Sequence, residues 1–536
     1  MKRLLIAFLF FAFSVSYAQE DAWVYFTDKP NAQFYLDNPL EMLSQRALDR
    51  RAAQGIITDE SDVPVDQPYV DEVDDVTEVI VMAKSKWLNA VHVRGTASAI
   101  NSLEDLEFVQ SIDFANNTLN TGGRPVGKGM AGKGTQSYCG PVAEFNYGTS
   151  SSQTLMLNGQ VLHEQDFTGT GMLIAVMDNG FPGVNTSQPF QRANTNGLIL
   201  GGYNFVEGND AIYTGGDHGT KVLSTLCGYV EGSLIGTAPD ASYLLFVTED
   251  ATEENPVEES YWVEAAEMAD SLGVDVINTS LGYFIYDNPA YNYDNEELDG
   301  ETAFISRGVN MAFSKGMICV VSAGNTGNSS QPRILVPADA PGALTIGAVN
   351  FEEIKAGFSS IGPTADERIK PDVMAQGVAA AHTGTDGVVT FGNGTSFSSP
   401  ITAGLVACLW QGLPDKTNSE IIDLIKGSAD RFNNPDNEYG YGIPDFAWAL
   451  NELSVNQPVK QEFIVYPNPV KHYLNITLPE YISKGVFTVY NVLGQIVQQV
   501  TLAQNSVIAL DELATGIYNY KITDGSHVQY GKLIKE

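Results

Sequence analysis

The sequence predicts an α/β protein whose parallel sheet is covered by helices on both faces. A small α+β domain precedes this sheet and a C-terminal β-sandwich follows it. Three observations carry this prediction. Strand-like apolar runs alternate with helical patterns over residues 152–453, an order typical of parallel sheets. Residues 19–115 mix short strands with helices, and residues 463–536 are short alternating strands separated by turns.

The first eighteen residues predict a signal peptide. Two basic residues at positions 2 and 3 precede an apolar run over residues 4–13, and small residues lead up to Ala18, as at a cleavage site. No other apolar run is long enough to cross a bilayer. We therefore expect an exported protein with no transmembrane anchor.

Two stretches predict linkers between the domains. Residues 116–151 are rich in Gly, Ser, Asn and Thr and show little apolar periodicity. Residues 454–462 mark a second change of composition, just before the C-terminal strands. We expect proteolytic processing of the first linker between Asn116 and Ser150.

The composition excludes partners that need a basic surface. Acidic residues outnumber basic ones by 65 to 29, which gives a formal net charge of −36. Nucleic acids and anionic membranes bind through clusters of lysine and arginine, so neither is an expected partner. We interpret the acidity as a source of solubility outside the cell.

The four cysteines are too few and too scattered for a disulfide framework, and none has metal-ligand spacing. Cys319 and Cys408 lie in apolar patterns, which predicts buried thiols. Cys139 and Cys227 are the one pair that we considered for a disulfide in an oxidising exterior. The sequence does not decide whether this pair forms.

The central region contains the elements that position chemistry. Parallel sheets place their sites beyond the carboxyl ends of the strands, and polar residues follow several strands here. The predicted strands cover residues 173–177, 243–247, 274–278, 318–322 and 343–349, and the predicted helices cover residues 261–272 and 303–313 and a segment that begins near His218.

Residues 392–400 predict a turn that leads into a helix, with Pro400 in its first turn. Ser396 therefore lies at a helix N-terminus. Backbone N–H groups and the positive end of the helix dipole suit an oxygen that carries transient negative charge. Ser396 is the candidate nucleophile.

A nucleophilic serine needs a base, and the chain has six histidines. Only His218 lies in a comparable setting, a glycine-rich turn that opens into a helix. Asp178 ends an apolar strand and is followed by the turn pair Asn179-Gly180, so it is the candidate carboxylate that orients the imidazole. These residues follow one another along the chain in the order Asp, His, Ser.

Three signatures resemble those of the subtilases, the subtilisin-like serine peptidases: residues 175–180 (AVMDNG), 218–220 (HGT) and 394–400 (GTSFSSP). The resemblance implies a secreted endopeptidase that acts through an acyl-enzyme, with Asp178, His218 and Ser396 as triad. Residues 318–325 resemble the family segment whose asparagine forms the oxyanion hole, which assigns that role to Asn325. The resemblance implies no cofactor.

Residues Ser280, Leu281 and Gly282 resemble the family strand that pairs with an extended peptide substrate. Two positions depart from the usual pattern. Lys221 replaces a second histidine after His218, and Asn179 replaces a threonine or serine after Asp178. Since neither position supplies a proton or an attacking atom, we expect these departures to affect packing and not the reaction.

The flanking domains also resemble known modules. Residues 19–115 resemble the propeptide that helps subtilases to fold and blocks their cleft; the alternative is an accessory domain that stays attached. Residues 463–536 resemble the sorting domain of the bacterial type IX secretion system; the alternative is a generic adhesion or carbohydrate-binding sandwich. The expected partners are a protein or peptide substrate and the type IX machinery, with export through the periplasm to the cell surface or medium.

Some alternatives stay open at this point. The acidic stretch 286–301 lacks the spacing of a known calcium loop, so a solvated surface insertion is favoured over a structural calcium site, and no metal ligand is assigned. We expect a monomer. The rival from another class is a binding or adhesion protein that kept the scaffold without turnover. A broad degradative role and a dedicated processing role are equally compatible with the sequence.

Overall fold

The computed structural model describes residues 19–120 and 145–451, together with residues 464–535 apart from gaps at 467–468, 479–483, 492–495, 504 and 524–527. The predicted signal peptide, most of the first linker and all of the second lie outside the described residues. The chain divides into two compact units, Met1–Leu450 and Asn451–Glu536.

The first unit begins with a small α+β domain. Its elements are β1 (Gln19–Phe26), α1 (Ala32–Asp37), α2 (Gln45–Ala53), α3 (Gln67–Asp74), β2 (Val79–Ser85), β3 (Ala90–Thr96), α4 (Ala97–Ser102) and β4 (Val109–Phe114). The four strands form an antiparallel sheet in the order β2-β3-β1-β4. Val24, Val91 and Val93 bury one face of the sheet together with Ile100 of α4.

The central domain follows in the same unit and is built around a parallel sheet. Its elements are α5 (Ser151–Leu155), α6 (Gln160–His163), β5 (Leu173–Asp178), α7 (Gln191–Thr195), β6 (Ile199–Asn204), α8 (His218–Cys227), β7 (Tyr229–Val230), β8 (Leu234–Ile235), β9 (Ser242–Val247), α9 (Val257–Leu272), β10 (Val276–Thr279), α10 (Phe304–Ser314), β11 (Ile318–Ser322), β12 (Ala343–Val349), β13 (Val373–Gln376), β14 (Ala380–Thr383), β15 (Val389–Gly392), α11 (Thr395–Gly412), α12 (Asn418–Ser428) and α13 (Phe446–Asn451).

Seven strands form the central sheet in the order β13-β12-β11-β10-β5-β9-β6, and all neighbours run parallel. Helices cover both faces, as the sequence predicts. On one face, Ala175 and Met177 share a core with Trp262 of α9 and Ile305 of α10. Helices α8 and α11 pack against each other and against the sheet. Strands β5, β10 and β11 are neighbours, so their carboxyl ends place Asp178, Ser280 and Asn325 along one edge.

The N-terminal domain packs on α9 and α10. Glu267 of α9 accepts hydrogen bonds from Ser85 Oγ at 2.7 Å and from the Trp87 N–H at 2.9 Å. The Trp23 ring stacks on Phe304 of α10 with centroids 5.1 Å apart. This interface thus combines buried apolar rings with a buried carboxylate whose hydrogen bonds come from the other domain.

The stretch 286–301 is only in part the solvated insertion that its composition suggests: residues 287–290, Asp294 and Glu296 are exposed, whereas three of its tyrosines are buried. Tyr286, Tyr291 and Tyr293 are buried. The hydroxyls of Tyr286 and Tyr293 donate to Glu259 Oε1 of α9 at 2.5 and 2.6 Å. The aromatic rings supply apolar surface that burial stabilises, and the buried carboxylate satisfies their hydroxyls. The less favoured alternative, a structural calcium site in this stretch, stays untested.

The second unit is a β-sandwich. Its strands are β16 (Ile464–Tyr466), β17 (Tyr473–Thr477), β18 (Gly485–Tyr490), β19 (Ile496–Leu502), β20 (Asn505–Ala509), β21 (Gly516–Thr523) and β22 (Val528–Lys535). They form a three-stranded sheet, β16-β17-β20, and a four-stranded sheet, β19-β18-β21-β22. Leu474 and Ile508 from the first sheet share one core with Phe487 and Ile522 from the second.

Three of the four cysteines lie in the described residues, and all three are buried with free thiols: Cys227, Cys319 and Cys408. This confirms the prediction for Cys319 and Cys408. Cys139 lies outside the described residues, so its pairing with Cys227 stays untested.

Candidate active site

Asp178 and His218 form a close pair at the edge of the central sheet. Asp178 is the last residue of β5 and is 2% exposed. His218 is the first residue of α8, and its Nδ1 lies 2.9 and 3.0 Å from the two Asp178 carboxylate oxygens. The Asn179 N–H donates to Asp178 Oδ1 at 2.8 Å and fixes the carboxylate. The arrangement leaves Nε2 of His218 available to accept a proton.

Ser396 lies in the first turn of α11, which begins at Thr395. Pro400 is therefore inside the helix, and its prediction as a first-turn residue is wrong. A proline lacks the N–H that would bond to the carbonyl four residues earlier, which here belongs to Ser396. Ser280 Oγ donates to that carbonyl instead, at 3.1 Å. The bond ties the Ser396 backbone to the residue that follows β10.

Asn325 is held with its amide directed toward Ser396. The Thr395 N–H donates to Asn325 Oδ1 at 2.9 Å, and Thr395 Oγ1 lies 3.1 Å from the same oxygen. These bonds occupy the amide oxygen and leave Nδ2 as a donor. A Cβ on Gly394 would lie 2.8 Å from Ser396 Oγ and 3.8 Å from Asn325 Nδ2, so Gly394 is needed to keep this space open. Sequence reasoning missed Thr395 as the residue that orients the amide.

His218 and Ser396, the candidate base and nucleophile, lie at the N-termini of two helices that pack together, α8 and α11. In the part of the chain that the structure describes, no hydrogen bond within 3.5 Å joins His218 to Ser396 Oγ. Such bonds are often long in the resting enzyme and shorten when substrate binds. The geometry thus brings Asp178, His218, Asn325 and Ser396 to one edge of the sheet.

The substrate-binding candidates follow β10 at the same edge. Ser280 is buried, whereas Leu281 and Gly282 are half-buried. Asn278 Nδ2 donates to Ser280 Oγ at 3.0 Å, and Ser399 Oγ donates to Asn278 Oδ1 at 3.0 Å. These hydrogen bonds connect the candidate substrate-binding segment to the helix that carries Ser396. Pro400 was the sequence signal that could have predicted this connection, because a proline within the helix leaves the Ser396 carbonyl without its usual backbone donor.

Charged groups around His218 set its basicity. The Asp178 carboxylate raises the pKa of His218 above the ordinary imidazole value, although burial acts in the opposite direction. Lys221 bonds to Asp217 Oδ1 at 2.8 Å, an ion pair within the first turn of α8. Lys221, at the position that departs from the usual family pattern, is therefore paired with Asp217, and its charge lowers the pKa of His218 less than Asp178 raises it.

His382 is a second histidine near this edge that the sequence did not single out. Its ring stacks on Phe397, the residue after Ser396, with centroids 4.7 Å apart. Burial lowers the pKa of His382 to about 4, so the ring is neutral at physiological pH. It packs beside the nucleophile without adding a charge. Across the described ranges, no group of three or more His, Cys, Asp or Glu residues is placed to hold a metal ion.

Three family models match the chain. Residues 21–129 match the peptidase S8 propeptide domain of Bacteroidota, residues 169–442 match the Subtilase family, and residues 464–536 match a secretion system C-terminal sorting domain. The sorting domain shows that the protein is exported to the cell surface or beyond. None of the helices that the structure describes is both long and apolar enough to cross a membrane.

Two subtilisins are similar to the same central region. Subtilisin NAT of Bacillus subtilis subsp. natto is 32% identical over 290 residues, which cover 54% of this chain and 68% of that protein. Subtilisin of Bacillus pumilus is 31% identical over 276 residues, or 51% of this chain and 89% of that protein. The crystal structure of MycP1 without its N-terminal propeptide aligns at 27% identity with a TM-score of 0.44, covering 56% of this chain and 96% of that one. The matched region spans just over half of the chain and includes every residue of the site, and we conclude that the chain belongs to the Subtilase family and is a secreted serine endopeptidase.

Proposed function

We propose that Ser396 is the nucleophile, His218 the general base and Asp178 the residue that orients and stabilises the imidazole. The Asp178–His218 pair at the end of β5, with Ser396 at the start of the adjoining helix, is the observation that supports this assignment. Ser396 Oγ attacks the substrate carbonyl while His218 Nε2 accepts its proton. His218 then donates that proton to the leaving amine, and water hydrolyses the acyl-enzyme.

Asn325 and the Ser396 N–H donate to the oxyanion that forms in this attack. Asn325 Nδ2 is free to donate because Thr395 occupies the amide oxygen. We propose that the reaction needs no cofactor, because side chains and backbone supply the nucleophile, the base and the oxyanion donors. The substrate is an extended protein segment that pairs along Ser280, Leu281 and Gly282, and the enzyme acts as a monomer.

Replacing Asn325 by alanine tests the oxyanion assignment. We expect kcat to fall by about 10²–10³, the size of the effect of such a donor in subtilisin, while KM changes little. The donor acts on charge that develops only in the transition state, so ground-state binding is spared. Steady-state kinetics on a peptide substrate measure both constants. Asn328→Ala, in the same loop but beside Gly357, is the matched control and should keep its activity.

The N-terminal domain is proposed to act as the propeptide, bound through buried ion pairs. Arg51 is 1% exposed and bonds both to Asp62 of its own domain and to Asp270 of α9, at 2.7 and 2.5 Å. Arg50 lies 2.6 Å from Asp270, and Lys315 lies 3.1 Å from Asp62. Each of the two buried carboxylates is thus paired with a basic side chain of the other domain. We propose that cleavage between Asn116 and Ser150 frees the enzyme, and that the sorting domain is removed at the outer membrane.

Loss of Arg51 should loosen this interface. In a Ser396→Ala background, which keeps the precursor uncleaved, we expect Arg51→Met to cost about 3 kcal/mol, near the low end for a broken buried pair. Arg50 and Lys315 still face the two carboxylates and limit the loss. Calorimetry of the precursor should therefore show a lower Tm.

The control for that measurement is Arg46→Met. Arg46 also pairs across the interface, with Asp275, but its side chain is 42% exposed. Solvent reaches the Arg46 side of this pair, so its loss should cost less than the loss of Arg51, whose side chain is 1% exposed. Equal destabilisation by the two variants would contradict the proposed role of the buried network.

A further inference from the structure

A short extended segment around Leu335 bridges two backbone stretches that lie beside Ser396. The N–H of Tyr283 donates to the carbonyl of Val336 at 2.8 Å, and the N–H of Val336 donates back at 3.2 Å. The N–H of Leu335 donates to the carbonyl of Ala323 at 3.4 Å. The segment around Leu335 therefore bridges the proposed substrate segment, Ser280–Gly282, and the residues that lead to Asn325. It forms the floor of the crevice between these two stretches.

The Leu335 side chain occupies that crevice. A Cβ on Gly282 would lie 3.0 Å from Leu335 Cβ, and a Cβ on Gly324 would lie 2.7 Å from Leu335 Cγ. The leucine thus contacts the bare backbone of both walls. Its neighbours Ile334 and Val336 are buried, at 1% and 0% exposure, whereas Leu335 is half-buried. The side chain faces the open crevice and not the protein core.

The crevice adjoins the reacting groups. The Gly324 N–H donates to Thr395 Oγ1 at 3.2 Å, and Ser280 Oγ donates to the Ser396 carbonyl at 3.1 Å. One wall is therefore fixed to the residue before the nucleophile, and the other is fixed to the nucleophile itself. A side chain that enters the crevice therefore lies beside Ser396.

Backbone pairing explains why that side chain points into the crevice. A substrate that pairs with Ser280–Gly282 is extended, and its successive side chains point to opposite sides. With its carbonyl oxygen at Asn325 and its carbonyl carbon at Ser396 Oγ, the acyl residue is held between the two walls. Its side chain meets Leu335, since Gly282 and Gly324 carry no side chains of their own.

We propose that Leu335 fills the pocket for the residue on the acyl side of the scissile bond, so that the enzyme cleaves after Gly, Ala or Ser. Aromatic and long aliphatic residues are rejected because the space they need is already occupied, and closely packed surfaces admit extra carbons only at a cost. This inference rests on the proposed function, since it assumes that Ser396 attacks a peptide carbonyl beside Asn325.

The test compares two internally quenched peptides that differ only in the acyl-side residue, alanine or phenylalanine. The enzyme is the full-length chain after its own processing, or after trimming by an added protease that is then removed. For the wild type we expect kcat/KM to be at least about 100-fold higher for the alanine peptide, the range that pocket size alone achieves. Leu335→Ala should raise kcat/KM for the phenylalanine peptide at least about 10-fold and change the alanine peptide less than about 3-fold.

Two controls make the result decisive. Leu200→Ala removes a leucine that is 55% exposed on edge strand β6, and it should leave the peptide ratio unchanged. Titration with a fluorophosphonate counts active serines in each preparation, and the ratio of the two peptides does not depend on how much of a variant folds. Equal cleavage of both peptides by labelled wild-type enzyme, or an unchanged ratio in Leu335→Ala, overturns the inference alone. Wild-type enzyme that is neither labelled nor active overturns the proposed function.

Discussion

Ser396→Ala should lower kcat by about 10⁶, the size of the loss when the nucleophile of subtilisin is removed. The hydroxyl is the attacking atom, and the other members of the site cannot form an acyl-enzyme without it. Peptide binding depends on the Ser280–Gly282 segment, which follows β10, and should persist. We would measure kcat by single-turnover kinetics on a peptide with alanine on the acyl side.

The matched control is Ser314→Ala, an exposed serine at the end of α10. It should keep wild-type turnover. Because Ser396 Oγ makes no hydrogen bond to any of the described residues, Ser396→Ala should also melt as the wild-type precursor does. Substantial turnover by a well-folded Ser396→Ala protein would contradict the assignment of the nucleophile.

Asp178→Asn should lower kcat by about 10⁴. In the wild type, both carboxylate oxygens lie within 3.0 Å of His218 Nδ1, which favours the tautomer that donates from Nδ1 and leaves Nε2 unprotonated. An amide can donate to Nδ1 and so favour the tautomer whose Nε2 carries the proton. The imidazolium that forms during attack would also lose its counter-charge.

The same variant should move the acidic limb of the pH profile. His218 must be neutral to act as base, so kcat/KM is full above its pKa and falls as the pH drops through that pKa. Asp178 raises this pKa, and the limb of the wild type should therefore lie above the ordinary imidazole value. In Asp178→Asn it should move to lower pH. Asp217, which is 47% exposed and paired with Lys221, is the control: Asp217→Asn should shift the limb far less. An unmoved limb in Asp178→Asn would contradict the role of that carboxylate.

Local signals in the sequence were sufficient to place the chemical groups. Asp178 ends a strand of uninterrupted apolar residues, and the turn pair after it predicts an exit at the carboxyl edge of a sheet. His218 and Ser396 follow glycines that open into helices. These features depend on a few neighbouring residues, which is why their placement could be predicted without knowledge of the packing.

Contacts between distant segments could not be predicted in this way. Edge strand β6 contains two adjacent glycines and edge strand β13 has only four residues, so their patterns are weak, and pairing with β9 and β12 defines them. The burial of Tyr286 and Tyr293 depends on Glu259, which lies in a helix earlier in the chain. Leu335 likewise gains its role only when its segment crosses between two others.

The rival interpretation of the sequence was a binding protein that keeps the scaffold without turnover. Among enzymes, the open question was whether the role is broad degradation or the dedicated processing of one partner. Leu335 bears on the second question, since a closed acyl-side pocket narrows the set of peptide bonds that can be cut. The central claim, that Ser396 is an activated nucleophile, precedes both questions.

Intact-mass spectrometry before and after reaction with a fluorophosphonate tests that claim most directly. The wild-type protein, freed of its N-terminal domain, should gain the mass of one phosphonyl group, and peptide mapping should place it on Ser396. Ser396→Ala prepared in the same way should gain none. An unlabelled wild-type protein whose N-terminal domain has been removed, or an adduct on another residue, would contradict the account.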